Sequence, residues 1–332
     1  MLWNALSPEI AGPVSALLAV VLLAMAVDLV AGDPRWLYRI LPHPVVVLGR
    51  FIGLLDRALN RQALPRGRRI LLGGLCVLIV VALAGGAGVL FHRVLSGLPF
   101  GWILEGLLAS SLLAFRGLYD AVRRVARGLD ESLEAGRVAV SHIVGRDPAS
   151  LNAAGVGRAA AESAAENFSD GFVAPVFWFL LLGLPGLLAY KAMNTLDSMI
   201  GHRSARYEAF GKAAARLDDA VNLLPARLAG LLFVLAAWLL PSARGGAAWR
   251  TMRRDAPKHR SPNAGWQEAA LAGALGLALA GPRQYGGLRV EDHWMGDGRQ
   301  EVTAEDLGRV LDLYLTAGGL LFAAVMAALL LV

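Results

Sequence analysis

The sequence predicts an all-α, polytopic integral membrane helical bundle, with re-entrant or broken helices and helical cytoplasmic loops. Three observations carry that prediction. Of 332 residues, 56% are hydrophobic and only 17% are charged; with a mean hydropathy of +0.52, the chain is too apolar for a soluble domain of its length. Several apolar runs reach the roughly 20 residues that a helix needs to cross a bilayer. The formal net charge of +6 is gathered in Arg-rich loops between those runs, which marks a cytoplasmic face rather than a nucleic-acid partner. The one cysteine, Cys76, lies within an apolar run, so neither a disulfide framework nor a Cys-based metal site is available.

Taken in order, the first expected span covers about residues 10–30. No basic n-region precedes it, so it reads as a retained span, not a cleaved signal. Residues 28–69 follow, rich in arginine and broken by Pro34, Pro42 and Pro44, which places them in the cytoplasm. Within them Val45–Asn60 is amphipathic and suits the membrane surface. Residues 70–91 and 98–115 make two further spans, the latter despite Glu105. From Arg116 to Asp170 the pattern is polar and helical, with Asp147-Pro148 read as a helix start.

Residues 172–190 are long enough to span but are interrupted by Pro175 and by Gly183-Leu184-Pro185-Gly186. The segments on both sides of residues 223–240 are basic, and both can be cytoplasmic only if one apolar stretch does not cross. A re-entrant hairpin hinged at Leu184-Pro185 resolves the conflict. Residues 269–281 are too short to span and read as a second re-entrant helix, begun by Ser261 as N-cap and Pro262 at the first helical position. PRQYGG makes a tight turn, and residues 313–332 form the last span. Without a repeat or linker, the chain reads as one helical membrane domain.

Polar clusters near membrane depth are functional candidates. Glu162, Glu166 and Asp170 fall at i, i+4 and i+8, on one helical face. Lys191, Asn194, Asp197 and Ser198 form a second face, and Asp218, Asp219 and Asn222 a third group. Carboxylates in such numbers suit magnesium bridged to substrate phosphates, so Glu162, Glu166, Asp170, Asp218 and Asp219 are candidate metal ligands. Lys191, Lys212, Lys258 and Arg260 suit the phosphates. Lys258-His259 reads equally as a base or phosphate ligand and as a cytoplasmic charge anchor. His43, between two prolines, reads either as a ligand-binding side chain or as a structural one. No Walker A, GxSxG or HExxH pattern is present, and His142, His202, His259 and His293 lack zinc-site spacing.

AESAAENFSDGFVAPVFW, YKAMNTLDSMIGHRSARYEAFGKAAARLDDAVNLLPARL, RDAPKHRSPNAGWQEAALAGALG and DPRW…HPVVVLGR together resemble the CobD/CbiB family, membrane-bound adenosylcobinamide-phosphate synthases of cobalamin biosynthesis. The resemblance runs from about Asp28 to Gly287. It implies an ATP- and magnesium-dependent amide ligase that joins adenosylcobyric acid to (R)-1-aminopropan-2-ol or its O-phosphate. Chemistry on the matching positions assigns catalysis to Glu166, Asp197, Lys191, Lys258 and His259. It assigns substrate or phosphate binding to His43, Asn167, Asn194, Ser198, Lys212, Asn222, Ser261, Asn263 and Tyr285. The expected setting is the inner (plasma) membrane, crossed several times, with the active site cytoplasmic. The expected partners are the corrinoid and amino-alcohol substrates, membrane lipid, and other membrane-associated enzymes of late cobalamin synthesis. Three other readings stay open: a non-enzymatic AmpE-like membrane scaffold, a UbiA-like magnesium-dependent transferase suggested by LDDAVN alone, and a transporter, against which the polar motifs fall mostly in apparent cytoplasmic loops.

Overall fold

The computed structural model describes residues 8–34, 36–144, 148–285, 288–290 and 292–332. Its helices in chain order are α1 (Pro8–Ala31), α2 (Leu37–Ile40), α3 (Pro44–Leu59), α4 (Arg66–Ser96), α5 (Gly101–Ser110), α6 (Phe115–Glu131) and α7 (Leu133–Val140). They continue with α8 (Ala153–Phe168), α9 (Ala174–Leu196), α10 (Lys212–Val221), α11 (Leu223–Leu239), α12 (Gly245–Asp255), α13 (Ala264–Leu275) and α14 (Ala304–Leu331). Among the described residues six helical stretches are long and apolar enough to cross a membrane: Gly12–Ala31, Leu37–Leu59, Arg66–Ser96, Gly101–Glu131, Ala153–Gly201 and Ala304–Leu331. A seventh arises if Lys212–Val221 and Leu223–Leu239 count as one span. The chain is a helical, multi-pass membrane protein.

The fold divides into two compact units. Unit 1 holds Met1–Ala114, Ala174–Asn222 and Ala324–Val332; unit 2 holds Phe115–Val173 and Leu223–Ala323. The core of unit 1 packs Ile52 of α3, Cys76, Val77 and Val80 of α4, and Ala192, Met193 and Leu196 of α9 around Ile200 and Phe210. The core of unit 2 is aromatic. Phe115, Phe168, Phe172, Phe233 and Tyr314 stack in tilted and offset pairs, and the buried Tyr314 hydroxyl donates to the Phe115 carbonyl at 3.0 Å.

Local chemistry explains several boundaries. Within α9, Gly183 takes φ 64° and ψ −160°, a backbone setting open in practice only to glycine. The break therefore falls just ahead of Leu184-Pro185, where the hinge was expected. Residues 98–115 contain only the ten-residue α5, because Ser110 and Ser111 turn their hydroxyls onto the carbonyls of Leu107 and Leu108 and the helix ends there. Helix α8 starts later than expected. Pro148 opens a short 3₁₀ turn (Pro148–Ser150), and Asn152 is the cap, accepting the Gly155 N–H at 2.8 Å. Asp147 lies outside the described residues.

At α13 the cap also shifts. Ser261 Oγ accepts the N–H groups of both Asn263 and Ala264 at 3.2 Å, so the helix begins at Ala264 rather than Pro262. Nearly every residue of α13 is buried, as in a helix enclosed by protein. Among the described residues, the departure from an all-helical chain follows it. Two short antiparallel pairs form, β1 (Leu279–Ala280) with β4 (Trp294–Met295) and β2 (Arg283–Tyr285) with β3 (Leu288–Val290). The second pair brackets the glycines of PRQYGG.

Candidate functional site

In unit 1 the second polar stripe lies on one face, as its spacing predicted. Lys191, Asn194, Asp197 and Ser198 are exposed or half-buried, while Ala192, Met193, Thr195 and Leu196 between them are buried. Helix α9 then widens into a π turn, Asp197–Gly201. Such turns carry an extra residue per turn, disturb the backbone ladder and recur at functional sites. Here the Thr195 hydroxyl donates to the Lys191 carbonyl at 2.7 Å and that of Ser198 to the Asn194 carbonyl at 2.9 Å. Gly201 closes the turn because any Cβ there would collide with the Asp197 carboxylate.

The chain next forms the loop His202–Gly211 and enters α10. Loop and helix line a recess of about 550 Å³ with Arg66, Gly201, Arg203, Tyr207, Lys212, Arg216 and Asp219 among its walls. Lys212, Ala215, Arg216 and Asp219 are successive positions on one face of α10. Asp219 sits within charge range of Arg216 and Arg203, and of Asp197, which also faces His202. The recess is thus basic, with Asp219 on its wall and Asp197 within charge range of Asp219; Glu208, also on the wall, pairs with Arg66 at 2.9 Å.

A network that sequence reasoning missed holds this loop. Asp56, buried on α3, accepts Arg206 Nη2 at 2.7 Å, the Asn60 amide at 2.9 Å and the Tyr207 hydroxyl at 3.3 Å. Arg69 of α4 bonds the Arg206 carbonyl and reaches Asn60 Oδ1 at 3.2 Å. Hydrogen bonding to Asp56 and Tyr207 raises the Arg206 guanidinium above its ordinary pKa. Arg206 and Asp56 stand 150 residues apart, so no local pattern could have paired them.

The third group divides by direction. Asp218 and Asn222 are buried, the Asn222 amide donating to Asp218 Oδ2 at 3.0 Å and its carbonyl accepting the Tyr190 hydroxyl at 2.9 Å. Only Asp219 faces the recess. His43 caps α3, its Nδ1 accepting the Val45 N–H at 3.1 Å while Nε2 faces Asp33 at 3.4 Å. With Nδ1 committed as an acceptor, the proton belongs on Nε2, and the ring orients a corner.

In unit 2, Glu162 and Glu166 share a helical face but not an environment. Glu162 is buried and accepts the Ala280 N–H of β1 at 2.9 Å. Glu166 and Asn167 are exposed, and Asp170 is half-buried in a second π turn, Ser169–Val173. The Asn167 amide donates to the Ser163 carbonyl at 3.0 Å.

Lys258 is held by Asp255, Nζ to Oδ1 at 2.8 Å. Asp255 also binds Arg254 at 2.6 and 2.9 Å and the Gly296 N–H at 3.0 Å. Burial alone would push this carboxyl up; those bonds outweigh it and hold it at about 2. His259 accepts the Ser261 N–H through Nδ1 at 3.1 Å and lies 3.8 Å from Glu268 through Nε2. Asn263 is buried at the start of α13. The Tyr285 side chain lies outside the described residues.

Among the described residues no three His, Cys, Asp or Glu side chains gather as a metal cage. Magnesium needs fewer, since it is held by one or two carboxylates together with phosphates and water. Asp197 and Asp219, beside cations suited to phosphate, fit that mode; Glu162, committed to a backbone N–H, fits it less well.

The model of CobD/Cbib proteins matches residues 21–314. The chain belongs to the CobD/CbiB family. It is 50% identical over 295 residues to "Cobalamin biosynthesis protein CobD" of Sinorhizobium sp, covering 88% of this chain and 91% of that one. Proteins of the same name are 48% identical over 315 residues in Brucella suis biovar 1, covering 94% and 96%, and 47% identical over 300 residues in Rhodobacter capsulatus, covering 89% and 92%. No solved structure matches the chain.

Proposed function

We propose that this family member acts in cobalamin biosynthesis as an ATP-dependent amide ligase, joining adenosylcobyric acid to (R)-1-aminopropan-2-ol or its O-phosphate. The observation that carries the reading is the basic recess of unit 1, in a chain that is about half identical to CobD proteins over most of its length.

A carboxylate does not acylate amines at neutral pH and must first be activated. Its oxygen attacks the γ-phosphorus of ATP, ADP departs, and an acyl phosphate remains. The amine then attacks the acyl carbon, the C–N bond forms, phosphate leaves, and the ammonium proton passes to a base. Arg203, Lys212 and Arg216 hold the phosphate oxygens and offset the charge that spreads over the transferring group. Asp197 and Asp219 would hold magnesium, which supplies positive charge to the phosphates when bound. Lys191 and Asn194, on the same face as Asp197, orient the acceptor. The Asp56–Arg206 network fixes the loop, so that these groups are in place before the substrates arrive.

Purified protein supplied with adenosylcobyric acid, ATP and magnesium, and with each amine separately, tests the reading. The expected result is amide product and ADP in equal amounts with one of the amines, identified by mass spectrometry. Absence of amine-dependent product with both would overturn it. The site is proposed to face the cytoplasm. A cysteine at Ser204, on the recess wall, in a Cys76→Ala background should resist an impermeant thiol reagent in intact cells and react in inverted vesicles.

A further inference from the structure

A second basic surface lies in unit 2 and plays no part in the ligation proposed above. Helix α12 carries Arg250, Arg253 and Arg254 in one short run. Two adjoining recesses of about 590 and 490 Å³ share Ala247, Thr251 and Asp297 on their walls. The three arginines are not equivalent. Arg254 is tied to Asp255 and, at 2.8 Å, to Asp297. Arg250 and Arg253 are exposed, and among the described residues no carboxylate pairs with either. The Arg253 guanidinium lies 5.7 Å from the ring centroid of Trp249.

The surroundings are those of a membrane boundary. Helix α11 is apolar and ends in Trp238 and Leu239, 61% and 63% exposed, and Trp249 on α12 is 40% exposed. Tryptophan collects at headgroup depth, where an apolar ring can meet a wet surface. Arginines beside it meet phosphate oxygens with two parallel N–H groups.

We propose that Arg250 and Arg253, with Trp249 beside them, form a binding site for a phosphate group. A lipid headgroup, such as that of phosphatidylglycerol, and a soluble phosphate share this chemistry; the exposed Trp238 at the end of α11 and Trp249 on α12 favour the lipid. Each basic side chain at a membrane surface contributes about fivefold to anionic-lipid affinity, so the pair should contribute about 25-fold.

The test uses the full chain in detergent, stripped of lipid, with native mass spectrometry to read bound molecules and thermal unfolding to read fold. Arms receive phosphatidylglycerol, phosphatidylcholine or inorganic phosphate. The expected result is retention of phosphatidylglycerol over phosphatidylcholine, weakened about 25-fold in Arg250→Gln/Arg253→Gln. Without lipid, the double variant should melt with the wild-type protein, since both side chains are exposed. Binding of inorganic phosphate that is lost in the variant, without phosphatidylglycerol retention, would assign the site to a soluble phosphate. Equal retention by variant and wild type, or no binding in any arm, would overturn the proposal.

Discussion

Both units set carboxylates among arginines and lysines, and both do so in loops that the sequence marks as basic. In unit 2, Asp255 receives Arg254, Lys258 and the Gly296 N–H together, and its charge is spent within the fold. In unit 1 the equivalent internal duty falls to Asp56, which holds Arg206 and Tyr207 from below. That leaves Asp219 on the wall of a recess with Arg203, Lys212 and Arg216. A carboxylate–cation cluster is therefore structural when backbone and side-chain donors close around it. It is available for chemistry when a neighbouring pair has already taken that role.

The largest effect expected from this contrast is on stability. Asp255→Ala leaves the buried Gly296 N–H without its acceptor and takes the shared carboxylate from the half-exposed Arg254 and Lys258, and should cost about 2–3 kcal/mol. Thermal unfolding in detergent would show it, and an unchanged melting temperature would erase the distinction between the units. The pH dependence follows the same bond set. The folded carboxyl sits at about 2, below the ~3.9 of an unstructured aspartate. Its contribution is therefore complete above about pH 4 and is lost as pH falls toward 2.

Next in size is an effect on activity alone. Asp219→Asn should lower kcat by roughly 10²–10³, the scale for losing one group that stabilises charge in transfer, while melting close to wild type. Its neighbour should fail in the opposite way. Asp218→Leu removes the acceptor for the buried Asn222 amide and should lower stability by about 1–3 kcal/mol. If both substitutions simply unfold the protein, Asp219 is structural and the recess has lost its carboxylate.

That neighbouring aspartates differ was not legible in LDDAVN, although the helix carrying them was. Apolar runs, prolines and glycines disclosed most helices, the break beside Pro185 and the polar face through Lys191, Asn194 and Asp197, because each is a local, periodic signal. The pairings Asp56–Arg206, Glu162–Ala280 and Asp255–Gly296 join residues 150, 118 and 41 positions apart, and no period reports them. Glu162 and Glu166 illustrate the limit. Their spacing placed them on one face, correctly, but only the fold laid Ala280 of β1 against Glu162 and left Glu166 exposed. The π turns at Ser169–Val173 and Asp197–Gly201 were equally hidden, since one extra residue in a turn leaves no mark on composition.

A smaller effect is expected at Lys212. Its ammonium lies on the recess wall and would meet ATP in the ground state as well as during transfer, so Lys212→Ala should raise KM for ATP about tenfold with kcat little changed. A fall in kcat at constant KM would move Lys212 from holding ATP to stabilising the transferring group.

The smallest effect, and the sharpest test of the contrast, belongs to Lys258. Residue type and position made it a candidate phosphate ligand, yet its Nζ lies 2.8 Å from Asp255 Oδ1, and its side chain is 46% exposed. A half-exposed partner in a network that Arg254 already anchors contributes little by itself, so Lys258→Ala should cost about 1 kcal/mol or less. KM for ATP should stay at the wild-type value, in contrast to Lys212→Ala. Combining Lys258→Ala with Asp255→Ala separates the roles further. If Lys258 only serves Asp255, the double variant should be no less stable than Asp255→Ala alone, because the lysine has already lost its partner. A raised KM for ATP in Lys258→Ala, with stability unchanged, would instead place the α12–α13 loop at the nucleotide, and the carboxylate beneath it would then be positioning a binding lysine.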